Sequence, residues 1–277
     1  MSSIPAVNTL VFTDLDGTLL DHDSYQFDEA LPAIQFLQTQ GIPIIPTTSK
    51  TVAEMLIINR VLNNQHPFIA ENGCIICFPQ GYFQEPPKAE VCDSYSMIKL
   101  APEYGEVLRV LHLLRETESF QFSGFNDMTV SNIAEETGLT IEQSQYAKQR
   151  ACSEPIIWQS SEAELVRFKT LLARAGLRLI KGGRFWHVLG EANKAVAMQR
   201  LISIYAANGL VNINTIALGD SPNDIDMLNE ADTAIVIKRK DGAQLSLASS
   251  SNVIYSNKPG PAGWNETVLT VLSELQP

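Results

Sequence analysis

Two aspartates one residue apart, Asp14 and Asp16, follow the apolar run Leu10-Val11-Phe12 and precede Gly17-Thr18-Leu19-Leu20. Residues one and three of a strand-to-loop turn point the same way, so both carboxylates can face one ligand. Gly17 permits a tight backbone there, and the Thr18 hydroxyl can bond a local amide. Close carboxylates repel unless a cation or a shared proton lies between them. The chemistry such a pair offers is that of a metal-assisted nucleophile.

A second acidic stretch, Gly219-Asp220-Ser221-Pro222-Asn223-Asp224, follows Ile216-Ala217-Leu218 and opens a helical pattern. It too falls at the carboxyl end of an expected strand, the edge where open α/β sheets bind ligands. A hard cation such as Mg²⁺ takes oxygen ligands and keeps several waters, so Asp14, Asp16 and Asp220 with a backbone carbonyl suffice to hold it. Thr48, after Pro43-Ile44-Ile45-Pro46, can grip a phosphoryl oxygen with its hydroxyl and the amides beyond it. Lys194 opens another helical pattern, where the helix dipole disfavours a cation, so that lysine needs solvent or anions. The acidic side chains of the two loops supply the anions.

These groups need a scaffold. Strand-like runs at 9–13, 43–47 and 68–70 alternate with helical patterns from about 29 and 52, which predicts βαβ units and a parallel sheet. Asp28 as N-cap would place Pro32 in the first helical turn, where its missing amide does no harm. Thr51 and Glu54 fit a capping box. After Pro86-Pro87 the rhythm breaks into helical stretches near 102–119 and 130–148, strands near 156–158, 177–180 and 184–189, and a helix near 162–175. From 194 the alternation resumes, with a long helix, strands at 215–218 and 234–237, a short helix at 222–229, a polar loop at 246–252 and a last helix at 262–275. The fold class expected is α/β: a doubly wound, Rossmann-like parallel sheet built from 1–86 and 190–277, with an inserted α+β cap domain at 87–189.

Composition limits the partners. At 277 residues and 45% apolar, the chain has ample core for this arrangement. A net charge of -11 argues against a nucleic-acid or anionic-membrane surface, so an anionic substrate must be small. Met1-Ser2-Ser3-Ile4-Pro5 lacks the basic start of a signal peptide, and no run reaches membrane-spanning length, so a cytoplasmic protein is expected. The four cysteines, Cys74, Cys77, Cys92 and Cys152, make neither a disulfide framework nor a zinc site. Cys74 to Phe78 reads instead as a buried strand using cysteine as a small apolar residue.

DxDGT at Asp14, then Thr48, Lys194 and the Gly219–Asp224 loop, in that order, resemble the haloacid dehalogenase-like superfamily of phosphotransferases. The resemblance implies that Asp14 is a nucleophile forming an aspartyl phosphate, Asp16 the general acid and base, Thr48 and Lys194 the phosphate-orienting pair, and Asp220 a metal ligand. Asp224 and Asn223 would support Lys194 or the metal from behind, and the insertion would be a C2-type cap. The second carboxylate at Asp16 favours phosphate esters over carbon–halogen bonds, since it can protonate a leaving alkoxide.

Thr48-Ser49-Lys50-Thr51, Glu71-Asn72-Gly73, Gly182-Gly183-Arg184-Phe185-Trp186-His187 and the stretch from Lys258 to Trp264 resemble one branch, the mannosyl-3-phosphoglycerate phosphatase family. That resemblance implies a Mg²⁺-dependent phosphomonoester hydrolase converting mannosyl-3-phosphoglycerate, a small phosphorylated sugar acid, to mannosylglycerate, with glucosyl-3-phosphoglycerate or a broader range of sugar phosphates as the alternative. A metal-binding regulatory relative without turnover is the non-enzyme alternative. Ser49, Lys50, Glu71, Asn72, Arg184 and His187 are the expected substrate contacts. Arg184 offers a two-pronged clamp for the glycerate carboxylate, with Trp186 on the same strand face.

Overall fold

The computed structural model describes residues 8–247 and 252–275. The first described elements are β1 (Thr9–Thr13), α1 (Leu31–Thr39), β2 (Ile44–Pro46), α2 (Val52–Val61) and β3 (Phe68–Ala70). β4 (Ile75–Pro79), β5 (Glu90–Cys92) and β6 (Tyr95–Lys99) follow. Next come α3 (Tyr104–Glu118), β7 (Phe122–Gly124), α4 (Val130–Thr137), α5 (Ile141–Ala147), β8 (Glu154–Trp158), α6 (Glu162–Arg174), β9 (Arg178–Lys181) and β10 (Trp186–Leu189). The chain returns through α7 (Lys194–Ala207), β11 (Asn214–Gly219), α8 (Ile225–Glu230), β12 (Thr233–Lys238), β13 (Val253–Pro259) and α9 (Gly260–Leu275).

Among the described residues five strands form a parallel sheet in the order β13-β12-β11-β1-β2. β1 is buried along its whole length, as a parallel strand covered on both faces must be. Val11 faces a core containing Ile34 of α1, Met55 of α2 and Trp264 of α9. Leu10 and Phe12 point the other way, to Met198 and Leu201 of α7 and Met227 of α8. This is the doubly wound arrangement expected. The chain leaves β1 toward β2 on one side, while β11 and β12 continue the sheet on the other, so the crevice between β1 and β11 is a topological switch point.

β3 joins this sheet through a parallel bridge from Thr47 to Ile69, then pairs antiparallel in the order β3-β4-β6-β5. The expected boundary at 86/87 is therefore misplaced. Pro86-Pro87 lies in the connection between β4 and β5, and the chain folds back on β4 before it leaves the core after Lys99. The prolines mark a loop within a sheet, not the link between domains. The second sheet, β7-β8-β10-β9, has its own core, in which Val107 and Leu111 of α3 and Phe168 of α6 pack on Ile156 and Val188.

Other expectations shift for local reasons. The helix foreseen at 130–148 is two, because Gly138 ends α4 and the Thr140 side chain caps α5. Asp28 does not cap α1: a 3-10 turn, Asp28–Ala30, precedes it, with Pro32 in the first helical turn. The capping box at Thr51 and Glu54 is present. Cys74 and Cys77 are buried and unbridged. Of the loop expected at 246–252, residues 248–251 lie outside the described ones, as does the N-terminal segment 1–7. Among the described residues no helix is long and apolar enough to cross a membrane.

One buried acid gives the inserted domain a pH signature. Glu154, at the start of β8, accepts from the Tyr104 hydroxyl (2.7 Å) and the Asn126 amide (2.8 Å). Burial raises its carboxyl from 4.5 to about 7; those two hydrogen bonds and Arg150 oppose the rise, and Asp127 adds to it. The folded state thus holds a proton that the unfolded chain releases, and stability falls as pH rises between those two values. Glu154→Gln is expected to flatten that fall. Thermal unfolding at pH 5 and pH 8 checks it: the Tm difference between the two should shrink in the variant.

Candidate active site

The carboxyl ends of β1 and β11 bring the two acidic loops together. The Asp14 amide donates to the Leu218 carbonyl (2.9 Å), which fixes one loop against the other. Gly17, at φ 84°, permits the close approach: a Cβ there would lie 2.9 Å from Oδ2 of Asp220. Behind β1, the Trp264 indole donates to the Thr13 hydroxyl (3.0 Å), which donates to the Asp14 carbonyl (2.7 Å). That gives the Lys258–Trp264 stretch its place, as a brace under Asp14.

Lys194 sits at the first turn of α7 and is almost fully buried. Its Nζ donates to Asp14 Oδ1 (2.5 Å) and Asp224 Oδ1 (2.7 Å). Burial alone would lower its pKa; Asp14 and Asp224 outweigh burial, and the lysine stays charged. Asp224 Oδ2 accepts from the amides of Asp220 and Ser221 (3.1 and 2.9 Å), so Asp224 is spent on holding Lys194 and the loop. Asp220 Oδ1 accepts from the hydroxyls of Thr18 (3.2 Å) and Ser221 (3.1 Å).

Oxygens of Asp14, Asp220 and Asp224 lie within 4.8 Å of one another, an all-oxygen set that could hold a metal ion. Burial first, then Asp224, pushes Asp14 well above the usual carboxylate range; the same two causes bring Asp220 to about 7. Lys194 alone does not balance these charges. A divalent cation beside Asp14 and Asp220 would, and the residues present fit one.

Asp16 differs from the expected ligand set. Its Oδ2 pairs with Lys50 Nζ at 2.9 Å, its Oδ1 is buried with no partner among the described residues, and its carboxylate lies outside the cluster. The Asp16 carboxylate turns to Lys50, and the third carboxylate grouped with Asp14 and Asp220 is that of Asp224. Asp16 lines a cavity with Asp14, Ser49, Lys50 and Asn223, roofed by the inserted domain through Phe125, Arg150, Arg184 and His187. Thr48 is buried below, its hydroxyl accepting from the Lys50 amide (3.2 Å).

The other expected contacts divide. Glu71 does not reach the cavity, because its carboxylate is committed to backbone amides of 151–153. Asn72 is also buried away from it, accepting from Asn223 Nδ2 (2.9 Å). Both follow from the 3-10 turn 71–73, which points these side chains inward rather than out from a strand end. Arg184 lies in the turn before β10 and lines the cavity; its Nη1 donates to the last carbonyls of α4, at Glu136 (3.3 Å) and Thr137. His187 lines the cavity nearly fully buried, its Nδ1 without a partner among the described residues, and burial, then Arg150, Lys194 and Lys181, brings its pKa down to about 3. Trp186 faces the opposite side of β10, in the core with α3 and α6, so it shares no face with the cavity groups.

Sequence reasoning missed Arg150, His22, Tyr25 and Phe125, which line the cavity, and gave no role to Phe185, which lines it too from the Gly182–His187 motif. Their loops carry no periodicity. Only the polar Gln149-Arg150 before the apolar run of β8 offered a hint.

A family model described as haloacid dehalogenase-like hydrolase matches residues 11–171 and 181–259. The chain belongs to that family. It is 35% identical over 96% of its length to the glucosyl-3-phosphoglycerate/mannosyl-3-phosphoglycerate phosphatase of Methanococcoides burtonii, and covers 97% of that relative. A phosphatase of the same name from Persephonella marina is also 35% identical, over 96% of this chain and 98% of the relative. The crystal structure of SMU.1108c from Streptococcus mutans shares the fold, with a TM-score of 0.65 at 18% identity over 95% of this chain and 98% of that one. This haloacid dehalogenase-like hydrolase is thus a phosphoric monoester hydrolase, of the branch that its motifs resembled.

Proposed function

We propose that this hydrolase converts mannosyl-3-phosphoglycerate to mannosylglycerate and inorganic phosphate with Mg²⁺, and takes glucosyl-3-phosphoglycerate as its second substrate. The observation that carries the reading is the near full-length identity to two relatives named for both esters. The site chemistry agrees with it. Asp14 attacks the phosphorus, the bond from phosphorus to the glycerate oxygen breaks, and Asp16 gives that oxygen a proton from Oδ1. Lys50 holds Oδ2 at 2.9 Å and so orients the acid. Water then attacks the phosphoryl group on Asp14, passing its proton back to Asp16; phosphate leaves and Asp14 is restored.

Asp14 and Asp220, with Asp224 behind them, would hold Mg²⁺, which when bound offsets the repulsion between the phosphate dianion and Asp14. Ser49, with its hydroxyl and amide, would face the phosphoryl oxygens ahead of α2, while the Lys50 amide holds the Thr48 hydroxyl. In the roof, Arg184 has a second guanidinium nitrogen for the glycerate carboxylate, and neutral His187 can bond a sugar hydroxyl.

Phosphate release with Mg²⁺ from mannosyl-3-phosphoglycerate, glucosyl-3-phosphoglycerate, 3-phosphoglycerate and hexose phosphates tests the reading. A kcat/KM for the glycosyl compounds about 100-fold above the hexose phosphates, roughly 2.7 kcal/mol, is expected. A flat profile retires the named substrates and leaves the phosphatase.

A further inference from the structure

The turn at 71–73 touches the Thr48–Lys50 loop, the loop of Asn223 and the head of α7 that carries Lys194. The amides of Glu71 and Asn72 donate to the carbonyls of Lys50 (2.9 Å) and Thr48 (2.8 Å), and Asn72 accepts from Asn223. Gly73 lies so close to the head of α7 that a Cβ would stand 2.1 Å from the Asn193 carbonyl oxygen. Glu71 and Asn72 adopt left-handed φ values of 49° and 58°, which residues with side chains hold only where their surroundings fix them.

From this turn the Glu71 carboxylate, with no exposed surface, reaches into the inserted domain. Oε1 accepts from the Ala151 amide (2.8 Å), and Oε2 from the amides of Cys152 (3.1 Å) and Ser153 (2.8 Å) and from the Ser153 hydroxyl (2.7 Å). Arg150 stands 3.5 Å from Oε2 and donates to the carbonyls of Ser49 (3.1 Å) and Ser153 (3.2 Å). The Ala151 carbonyl receives the Tyr104 amide (2.8 Å), so the grip lies where the chain crosses between domains. Arg150 also lines the cavity.

A buried, charged contact adds little net stability over an apolar one of the same volume, but it is directional. Here it joins residues 80 apart in sequence, across the domain junction, with one end in the Thr48–Lys50 loop network and the other in the cavity roof. We propose that Glu71 is a positioning residue that keeps the roof in register with the phosphate-binding loop. A substrate spanning both is thereby held in line with Asp14, while a small ester held by the core alone does not depend on the grip. The substrate half of this rests on the proposed function.

The test compares Ser153→Ala, which removes one donor to Glu71 and, with the same hydroxyl, an acceptor of Arg150 Nη2, and Glu71→Gln with the wild type. Each is assayed with p-nitrophenyl phosphate and mannosyl-3-phosphoglycerate. Ser153→Ala is expected to lower kcat/KM for the glycosyl ester about fivefold or more, with p-nitrophenyl phosphate within about twofold; Glu71→Gln should widen the gap to about 100-fold. A purely structural role lowers both substrates by one factor, and that result, or no change in either, overturns the proposal. Amide exchange gives a readout that needs no substrate: residues 151–153 should exchange about tenfold faster in Glu71→Gln, with the parallel sheet unchanged. Unchanged exchange at 151–153, or equal loss in the sheet, also overturns it. If the wild type does not prefer the glycosyl ester, the substrate reading fails and the exchange result decides the grip by itself.

Discussion

Asp14→Asn is expected to lower kcat/KM by at least about 1,000-fold, roughly 4 kcal/mol, with every phosphate ester alike. The amide cannot form an acyl phosphate, and no neighbouring carboxylate can replace it: Asp224 is spent on Lys194 and two amides, and Asp16 on Lys50. The loss should not come with unfolding. Burial and Asp224 already disfavour the charged form of Asp14 in the metal-free protein. An uncharged isostere relieves that repulsion, so in EDTA the variant should melt no lower than the wild type. Thermal unfolding and phosphate release on the same preparation check both halves; an active variant would remove Asp14 from the reaction.

Lys194→Met should cost activity and stability together. It leaves Asp14 and Asp224 buried without the ammonium that bonds both, a loss of about 3–5 kcal/mol for one partner of a buried ion pair. Turnover should fall by about 100-fold or more, since a positioned cation beside the phosphoryl group is gone. Because Mg²⁺ would then be the main counter-charge for three buried carboxylates, its addition should raise the variant's Tm more than the wild type's. Equal Mg²⁺ responses would contradict the shared-charge account.

Much of the site was legible because its residues sit at strand and helix ends with strong local signals. The apolar run before Asp14, the strand before Asp220 and the helical pattern after Lys194 each fix a position along the sheet edge. Side-chain direction was less legible. Asp16 and Trp186 were placed by assuming that alternate residues share a face, which fails once the chain turns, as it does after Thr13 and before Trp186. Glu71 and Asn72 were lost for the same reason, since two consecutive left-handed residues reverse the side chains and leave no mark in hydropathy. The strands β5 and β6 escaped because β5 is three exposed residues and β6 is mostly half-buried, so the alternation that reveals a core strand is absent. Arg150 could be found only in three dimensions, because what makes it notable is a carboxylate 79 residues earlier.

The order of the sheet also has a bearing on synthesis. β1 emerges first, yet one of its two neighbours, β11, begins at residue 214, and Trp264 beneath Asp14 comes later still. The domain between Lys99 and Lys194 is continuous and has its own core. Contacts close in sequence form sooner than those that must close a long loop. On the ribosome the inserted domain can therefore fold while the parallel sheet waits for its C-terminal strands, an order that pulse-labelled exchange on stalled chains would reverse if the sheet were protected first. A truncated chain ending before α9 would carry both acidic loops but not the brace under Asp14, and is expected to release phosphate far more slowly than the chain that includes α9.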